Sequence, residues 1–153
     1  MAQWSKEEIQ AAFKDFQTAA YTGAQTQDWR DWADCFTEDA TYFEHHYGKF
    51  WGRENIFKWI SDTMAPWPVN AMTAFPISWY SIDVEKGWIF CEVMNRMEDL
   101  GDGQIYEEPN ITILHYAGNG LFSYEEDAYN PENMGKMIGR WIAAKKAIDA
   151  EVS

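Results

Sequence analysis

Positive charge is scarce in this sequence. Twelve Lys and Arg stand against 25 Asp and Glu, a formal net charge of −13. Phosphate backbones and anionic lipid headgroups repel such a chain, which sets aside nucleic acid and membrane surfaces as partners. Cysteine is scarcer still. Cys35 and Cys91 are the only two, each within an apolar stretch. They offer neither a disulfide framework nor paired metal-ligand spacing and read as buried free thiols. No apolar segment of signal-peptide type opens the chain, and no run of about 18 apolar residues occurs. A soluble, cytoplasmic protein is therefore expected. Internal repeats, low-complexity tracts and linkers are also missing, so residues 1–153 are read as one domain, large enough for a core with a pocket in it.

Aromatic residues are plentiful: 9 Trp, 8 Tyr and 9 Phe, 17% of the chain. Such rings fill cores and also form stacking walls for flat ligands. The apolar periodicity divides them among helices and strands. Ser5 and Glu8 have capping-box spacing, and Ile9, Ala12, Phe13, Phe16, Ala19 and Ala20 follow at helical intervals until Gly23. Asp28 can cap a short helix with Trp29, Trp32, Ala33 and Phe36 on one face. Ala40–Tyr47 reads as a strand, and Gly48 and Gly52 bracket a turn. A third helix is predicted over Arg53–Met64, with Ile56, Trp59 and Ile60 inward, ended by Pro66 and Pro68.

Beyond it the pattern is mostly strand. Thr73–Val84 contains Pro76, which implies an edge or a bulge. Trp88–Glu98, Gln104–Tyr116 and Leu121–Tyr129 follow, separated by glycine-bearing turns that describe an antiparallel meander. Asn130 and Pro131 start a last helix. Helices covering the concave face of a long curved sheet make an α+β fold with room for a pocket. Several strands are apolar on both faces, among them Ile111 and Ile113 and also Cys91, Val93 and Met97. Their joint exposure would leave a large patch, so a homo-oligomer, dimer or trimer, is expected.

Three segments carry a family resemblance. Asp28-Trp29 through Phe36-Thr37-Glu38-Asp39-Ala40-Thr41-Tyr42, Gly52-Arg53-Glu54-Asn55-Ile56, and Gly118-Asn119-Gly120 into Tyr124–Tyr129 resemble motifs of the SnoaL-like branch of the nuclear transport factor 2-like superfamily. The likeness spans roughly Ile9 to Trp141. It implies a cone-shaped curved antiparallel sheet wrapped by N-terminal helices around one hydrophobic pocket. The superfamily holds ketosteroid isomerases, polyketide cyclases, scytalone dehydratase and limonene epoxide hydrolase, and also members without catalysis, so fold does not name function.

Alternation along the strands selects the candidate site residues. Tyr42, Glu44 and His46 share one face of the first strand. The resemblance places Glu44 at the carboxylate base of ketosteroid isomerase, and Tyr42 and Glu44 at the water-holding Tyr and Asn of limonene epoxide hydrolase. A carboxylate in an apolar pocket has a raised pKa and can carry protons near neutrality, and His46 titrates in the useful range. Asn110 and Thr112 fall near the oxyanion donor of ketosteroid isomerase. Glu125, Asp127 and Tyr129 share a face of the last strand, where Asp127 matches the general base of limonene epoxide hydrolase. His115 lies on the Ile111–Ile113 face and reads as structural or exposed.

The strand after Gly87 admits two readings. Pattern alone buries Ile89, Cys91, Val93, Asn95 and Met97 and sends Arg96 and Glu98 to water. The resemblance turns Arg96 and Glu98 inward, as the counterpart of an Arg-x-Asp triplet. The residues assigned to catalysis are thus Asp127, Glu44, Arg96, Glu98 and His46. Tyr42, Asn110, Thr112, Glu125, Tyr129 and Trp59 are assigned to substrate binding. No metal and no cofactor are expected. The function expected is a lyase, dehydratase, cyclase or isomerase step on a small hydrophobic, aromatic, oxygenated compound. Epoxide hydrolysis and non-catalytic binding of a small molecule are the alternatives.

Overall fold

The computed structural model describes every residue from Met1 to Ser153. Helix α1 (Lys6–Thr26) starts where the capping box predicts, with the Ser5 hydroxyl accepting the Glu8 amide at 3.1 Å. This satisfies one of the donors that a helix start leaves unpaired. Gly23 does not stop the helix. It runs on to Thr26 and ends at Gln27, whose φ of 60° brings its N–H back to the Gly23 carbonyl at 2.8 Å. The glycine serves another purpose, since a Cβ at this position would lie 2.5 Å from Trp29 Cε3. It lets the Trp29 ring close against the helix.

Asp28 accepts the Arg30 amide at 3.0 Å at the head of the one-turn helix α2 (Arg30–Ala33). Helix α3 occupies Arg53–Met64 as predicted and buries Ile56, Ile60 and Met64. Helix α4 (Pro131–Val152) is capped by Asn130, whose side chain accepts the Glu132 amide at 2.9 Å. It buries Met137 and Trp141.

Seven strands form one curved, unclosed sheet: β1 (Phe36–Glu44), β2 (Gly48–Trp51), β3 (Met72–Ala74), β4 (Ile77–Asp83), β5 (Trp88–Met97), β6 (Glu107–Gly118) and β7 (Leu121–Ala128). The order is β2-β1-β7-β6-β5-β3, with β4 also pairing β5. All pairs are antiparallel except β1 with β7, which run parallel. The first strand ends at Glu44 rather than Tyr47. The chain turns at His45–Tyr47, and Gly48–Trp51 comes back as β2, not as a turn. Pro76 splits the predicted Thr73–Val84 strand into β3 and β4. Lacking an N–H, it cannot carry a ladder bond, though its carbonyl accepts the Met94 amide at 2.8 Å.

The apolar face of β5 turns inward. Ile89, Cys91 and Met97 are buried, so Cys91, Val93 and Met97 add nothing to an outer patch, while Ile111 remains 38% exposed on the convex side. Burying the apolar face removes several side chains from water at about 25 cal/mol per Å², whereas turning Arg96 inward would bury a charge at a desolvation cost. Around Phe16 an aromatic cluster joins helix and sheet: its ring lies 5.9 Å from Trp32, 5.9 Å from Phe36 and 5.5 Å from Phe122.

The Gly23 contact sets two effects against each other. Ala in an open helix position is worth about 1 kcal/mol over Gly, but here its methyl would drive into a buried ring that is 2% exposed. With a Cβ 2.5 Å from Trp29 Cε3, Gly23→Ala is expected to lower the thermal unfolding midpoint. A rise would show that Trp29 yields freely.

Candidate active site

Between the concave face of the sheet and the helices lies a cavity of about 230 Å³. Trp32 from α2, Trp59 and Ile60 from α3, and Met134 and Ile138 from α4 wall it with apolar surface. Most of its polar members come from the strands: Tyr42 and Glu44 on β1, Asn95 on β5, Asn110 and Thr112 on β6, Glu125 and Asp127 on β7, with Tyr129 just beyond; Gln17 on α1, Thr63 on α3 and Tyr47 after β1 add to them. No Lys, Arg or His lines it.

The last strand would not present two carboxyls here by simple alternation. Phe122 faces inward and is fully buried, so Tyr124 should follow it. Instead Glu125 is 4% exposed and buried. The β6–β7 ladder shifts register between His115 and Gly118, opposite Leu121–Tyr124, and this irregularity reverses which residues point inward. Beyond it Tyr124 and Glu126 lie outside, where their side chains bond each other at 2.7 Å.

Within the cavity, one hydroxyl meets two carboxyls. Tyr42 Oη lies 2.6 Å from Glu125 Oε2 and also contacts Asp127 Oδ2. Each oxygen pair needs a hydrogen between its members, and the phenol supplies only one. One of the two carboxyls therefore holds a proton. Burial pushes both carboxyls up. Glu125 rises well above the ordinary range, helped by the Asp127 charge beside it. For Asp127 the hydrogen bonds from Thr112 and Tyr42 oppose the rise. Burial, followed by the neighbouring carboxylates, also raises Tyr42 far above a free phenol, which keeps it a donor.

A second carboxyl site adjoins the first. Glu44 Oε1 accepts the His46 backbone amide at 2.6 Å, and Oε2 accepts the Tyr129 hydroxyl at 3.0 Å. Three buried polar atoms have no partner, and all belong to residues that line the cavity: Trp29 Nε1, Trp59 Nε1 and Glu125 Oε1. Such groups carry a desolvation cost until something bonds to them.

The structure thus gathers Asp127, Glu44, Tyr42, Asn110, Thr112, Glu125, Tyr129 and Trp59 around one cavity. It leaves out the other three candidates. Arg96 sits on the opposite face of β5, paired with Glu107 at 2.8 Å. Glu98 lies beyond the end of β5 and is exposed, its carbonyl taken by Trp141 Nε1 at 3.0 Å. His46 is exposed in the turn after β1 and touches the site only through its backbone. The Arg96–Glu98 pair therefore does not stand close to Asp127, because β5 buries its other face. His45 pairs with Glu126 at 2.7 Å on the outside, and His115 stacks there between Trp88 and Tyr124, at 4.2 and 4.4 Å. No group of three or more His, Cys, Asp or Glu is arranged to hold a metal ion.

The sequence profile of the SnoaL-like domain matches residues 6–87, more than half of the chain. No curated protein sequence matches. Among solved structures, a candidate SnoaL-like polyketide cyclase from Jannaschia sp. CCS1 superposes with a TM-score of 0.67 at 13% identity, over 90% of this chain and 97% of that one. A candidate polyketide cyclase from Xanthomonas campestris pv. campestris gives 0.66 at 15%, over 87% and 98%. An LEH-like epoxide hydrolase from M. tuberculosis gives 0.63 at 14%, over 90% and 94%. At these identities the likeness concerns the fold.

Glu125 makes folding depend on pH in a calculable direction. Its folded-state pKa is raised, so its contribution to stability is full below the unfolded carboxyl midpoint of about 4.3 and is lost as pH rises through the folded one. Glu125→Gln cannot ionise and lacks this loss. Its stability relative to wild type should climb with pH above about 5, by at most about 1.4 kcal/mol per pH unit, as read by urea unfolding at a series of pH values. A flat difference would mean that Glu125 is charged in the folded protein at the pH where it is charged in the unfolded chain.

Proposed function

The chain belongs to the SnoaL-like domain family, and on that premise we propose that it is a cofactor-independent acid–base enzyme. It performs a lyase, dehydratase, cyclase or isomerase step on a small, hydrophobic, oxygenated compound. The observation that carries this reading is the buried cluster of Tyr42, Glu125 and Asp127, which shares hydrogens in a cavity lined mostly by hydrophobic residues. Two carboxyls forced to divide a proton supply an acid and a base in one water-poor space.

Asp127 takes a proton from the substrate, and the Tyr42–Glu125 side of the cluster returns one or stabilises a developing oxyanion. Glu44, oriented by Tyr129, stands ready as a second carboxyl. The aromatic walls favour a flat or polycyclic skeleton. With three carboxyls and no basic side chain around it, the cavity disfavours anionic substrates. The unpartnered indole N–H groups of Trp29 and Trp59 suit a ligand that carries carbonyl or hydroxyl oxygens.

Epoxide hydrolysis keeps Tyr42 and Asp127 but loses the Arg96–Glu98 pair, which lies outside. A non-catalytic binding module needs only the cavity. Asp127→Asn separates these readings, since it keeps the shape of the side chain and removes its base. Against a panel of aromatic alcohols, enols and epoxides, turnover by the wild type should fall by about 10²–10⁴-fold in the variant, with folding retained. Wild-type rates in a folded variant would remove Asp127 from the mechanism. Turnover of epoxides alone would favour hydrolysis, and tight binding without turnover would favour the binding module.

A homo-oligomer is proposed as well. It is supported by the convex face, where Ile111 is 38% exposed on the same face of β6 as His115, which stacks between Trp88 and Tyr124. Light scattering at high concentration should give a multiple of 17.8 kDa, and a monomeric mass would end the proposal.

A further inference from the structure

The proton shared in the cavity has two places to rest. With Asp127 protonated, its Oδ2 would donate to Tyr42, whose hydrogen would pass to an ionised Glu125. With Glu125 protonated, Oε2 would donate to Tyr42, whose hydrogen would pass to an ionised Asp127. The contacts of Tyr42 alone fit either state. A chain of hydrogen bonds reaching Asp127 from the other side favours the second of them, because a donor stabilises an ionised oxygen more than a neutral one.

We propose that Asn95, two strands away on β5, is a positioning residue that acts through Asn110 and Thr112 to fix Asp127 as an acceptor and leave the proton on Glu125. Asn95 Nδ2 lies 3.0 Å from the Glu108 backbone carbonyl and 2.8 Å from Asn110 Oδ1. A carbonyl only accepts, so the Asn95 atom facing it is the amide nitrogen. Its second hydrogen then requires an acceptor, and Asn110 must turn its oxygen toward β5. That turns Asn110 Nδ2 toward Thr112 Oγ1, at 2.8 Å. The threonine oxygen accepts there, and its one hydrogen is directed at Asp127 Oδ1, at 2.6 Å.

The main-chain carbonyl fixes both amides, since it is held in the β5–β6 ladder and cannot reverse, and the Thr112 hydrogen has Asp127 Oδ1 as its acceptor. Asp127 consequently receives one donor from Thr112 and another from Tyr42. Hydrogen bonds to a charged oxygen favour the charged form. Glu125 receives no such support at Oε1, and burial opposes its charge.

The other titratable groups near the cluster leave this balance in place. On β1, Glu44 has its own partners in His46 N–H and Tyr129. On β5, burial pushes the Cys91 thiol far up, as it does the Tyr129 hydroxyl after β7, so both stay neutral. His45 is exposed and paired with Glu126. The consequence is a ligand-facing Glu125 with a free carbonyl-type oxygen, and an Asp127 ready to take a proton. Where the proton rests does not depend on whether the cavity turns anything over.

The test is a ¹³C NMR titration of the whole protein labelled at its Asp and Glu side-chain carboxyls. In the wild type the Asp127 carbon should ionise first, with Glu125 remaining protonated at a pH where Asp127 is already charged. The reverse order overturns the proposal. Thr112→Val removes the last donor at nearly constant shape, and Asn95→Leu removes the first without adding charge. Both should move the Asp127 midpoint upward, by about one pH unit for Thr112→Val and by less for Asn95→Leu. A residue that merely held β5 to β6 would change stability and leave that midpoint in place. A folded Asn95→Leu protein with an unchanged Asp127 midpoint therefore removes Asn95 from the chain. Should that variant fail to fold, the wild-type order and Thr112→Val still decide whether Thr112 fixes the proton.

Discussion

Two carboxyls lie side by side in an apolar cavity, and the rest of the site is arranged around that burden. An isolated buried carboxylate is too costly to keep, so such a group either neutralises or gathers donors. Here both outcomes occur within one cluster. Asp127 has gathered Thr112 and Tyr42, while Glu125 has one close partner and a raised affinity for its proton. The arrangement needs walls that exclude water and strands that aim the side chains. The aromatic helices supply the first and the bent sheet supplies the second.

The sheet can supply it because of one fault in its ladder. Where β7 slips against β6, the inward face changes from Phe122 to Glu125 and Asp127. The neighbouring residues Tyr124 and Glu126 are displaced to the convex side, where they join His45 and His115 in a separate surface cluster. A regular strand would have buried Tyr124 and exposed the carboxyl pair. The fault thus trades an easily buried ring for a chemically useful and costly pair. Sites commonly hold such departures from local rules.

Much of the scaffold was legible because it rests on short-range rules. The capping box at Ser5 and Glu8, the range of α3 and the Asn130-Pro131 start of α4 depend on residues a few positions apart. Alternation gave the correct inward face of β5, and the family likeness gave the wrong one for Arg96 and Glu98. The apolar content of that strand outweighed a resemblance resting on three residues. Gly23 was misread because a glycine that ends a helix and one that admits a neighbouring ring look the same in sequence. Asn95 went without a role, although a lone amide on an otherwise apolar strand face is a signal that such a residue has a partner inside.

By itself the sequence determined the α+β class, the helix positions, the shortage of positive charge and the gathering of acidic and aromatic residues on shared strand faces. Periodicity and composition carry these, and both are properties of neighbours along the chain. Tertiary structure alone decided that Tyr42 bridges Glu125 and Asp127, that His46 falls in a turn outside the cavity, and that a backbone carbonyl on β6 orients Asn95. Each depends on how strands pair, the first of them on the register between β1 and β7, which are far apart in sequence, and a shift of one residue there turns every side chain to the other face.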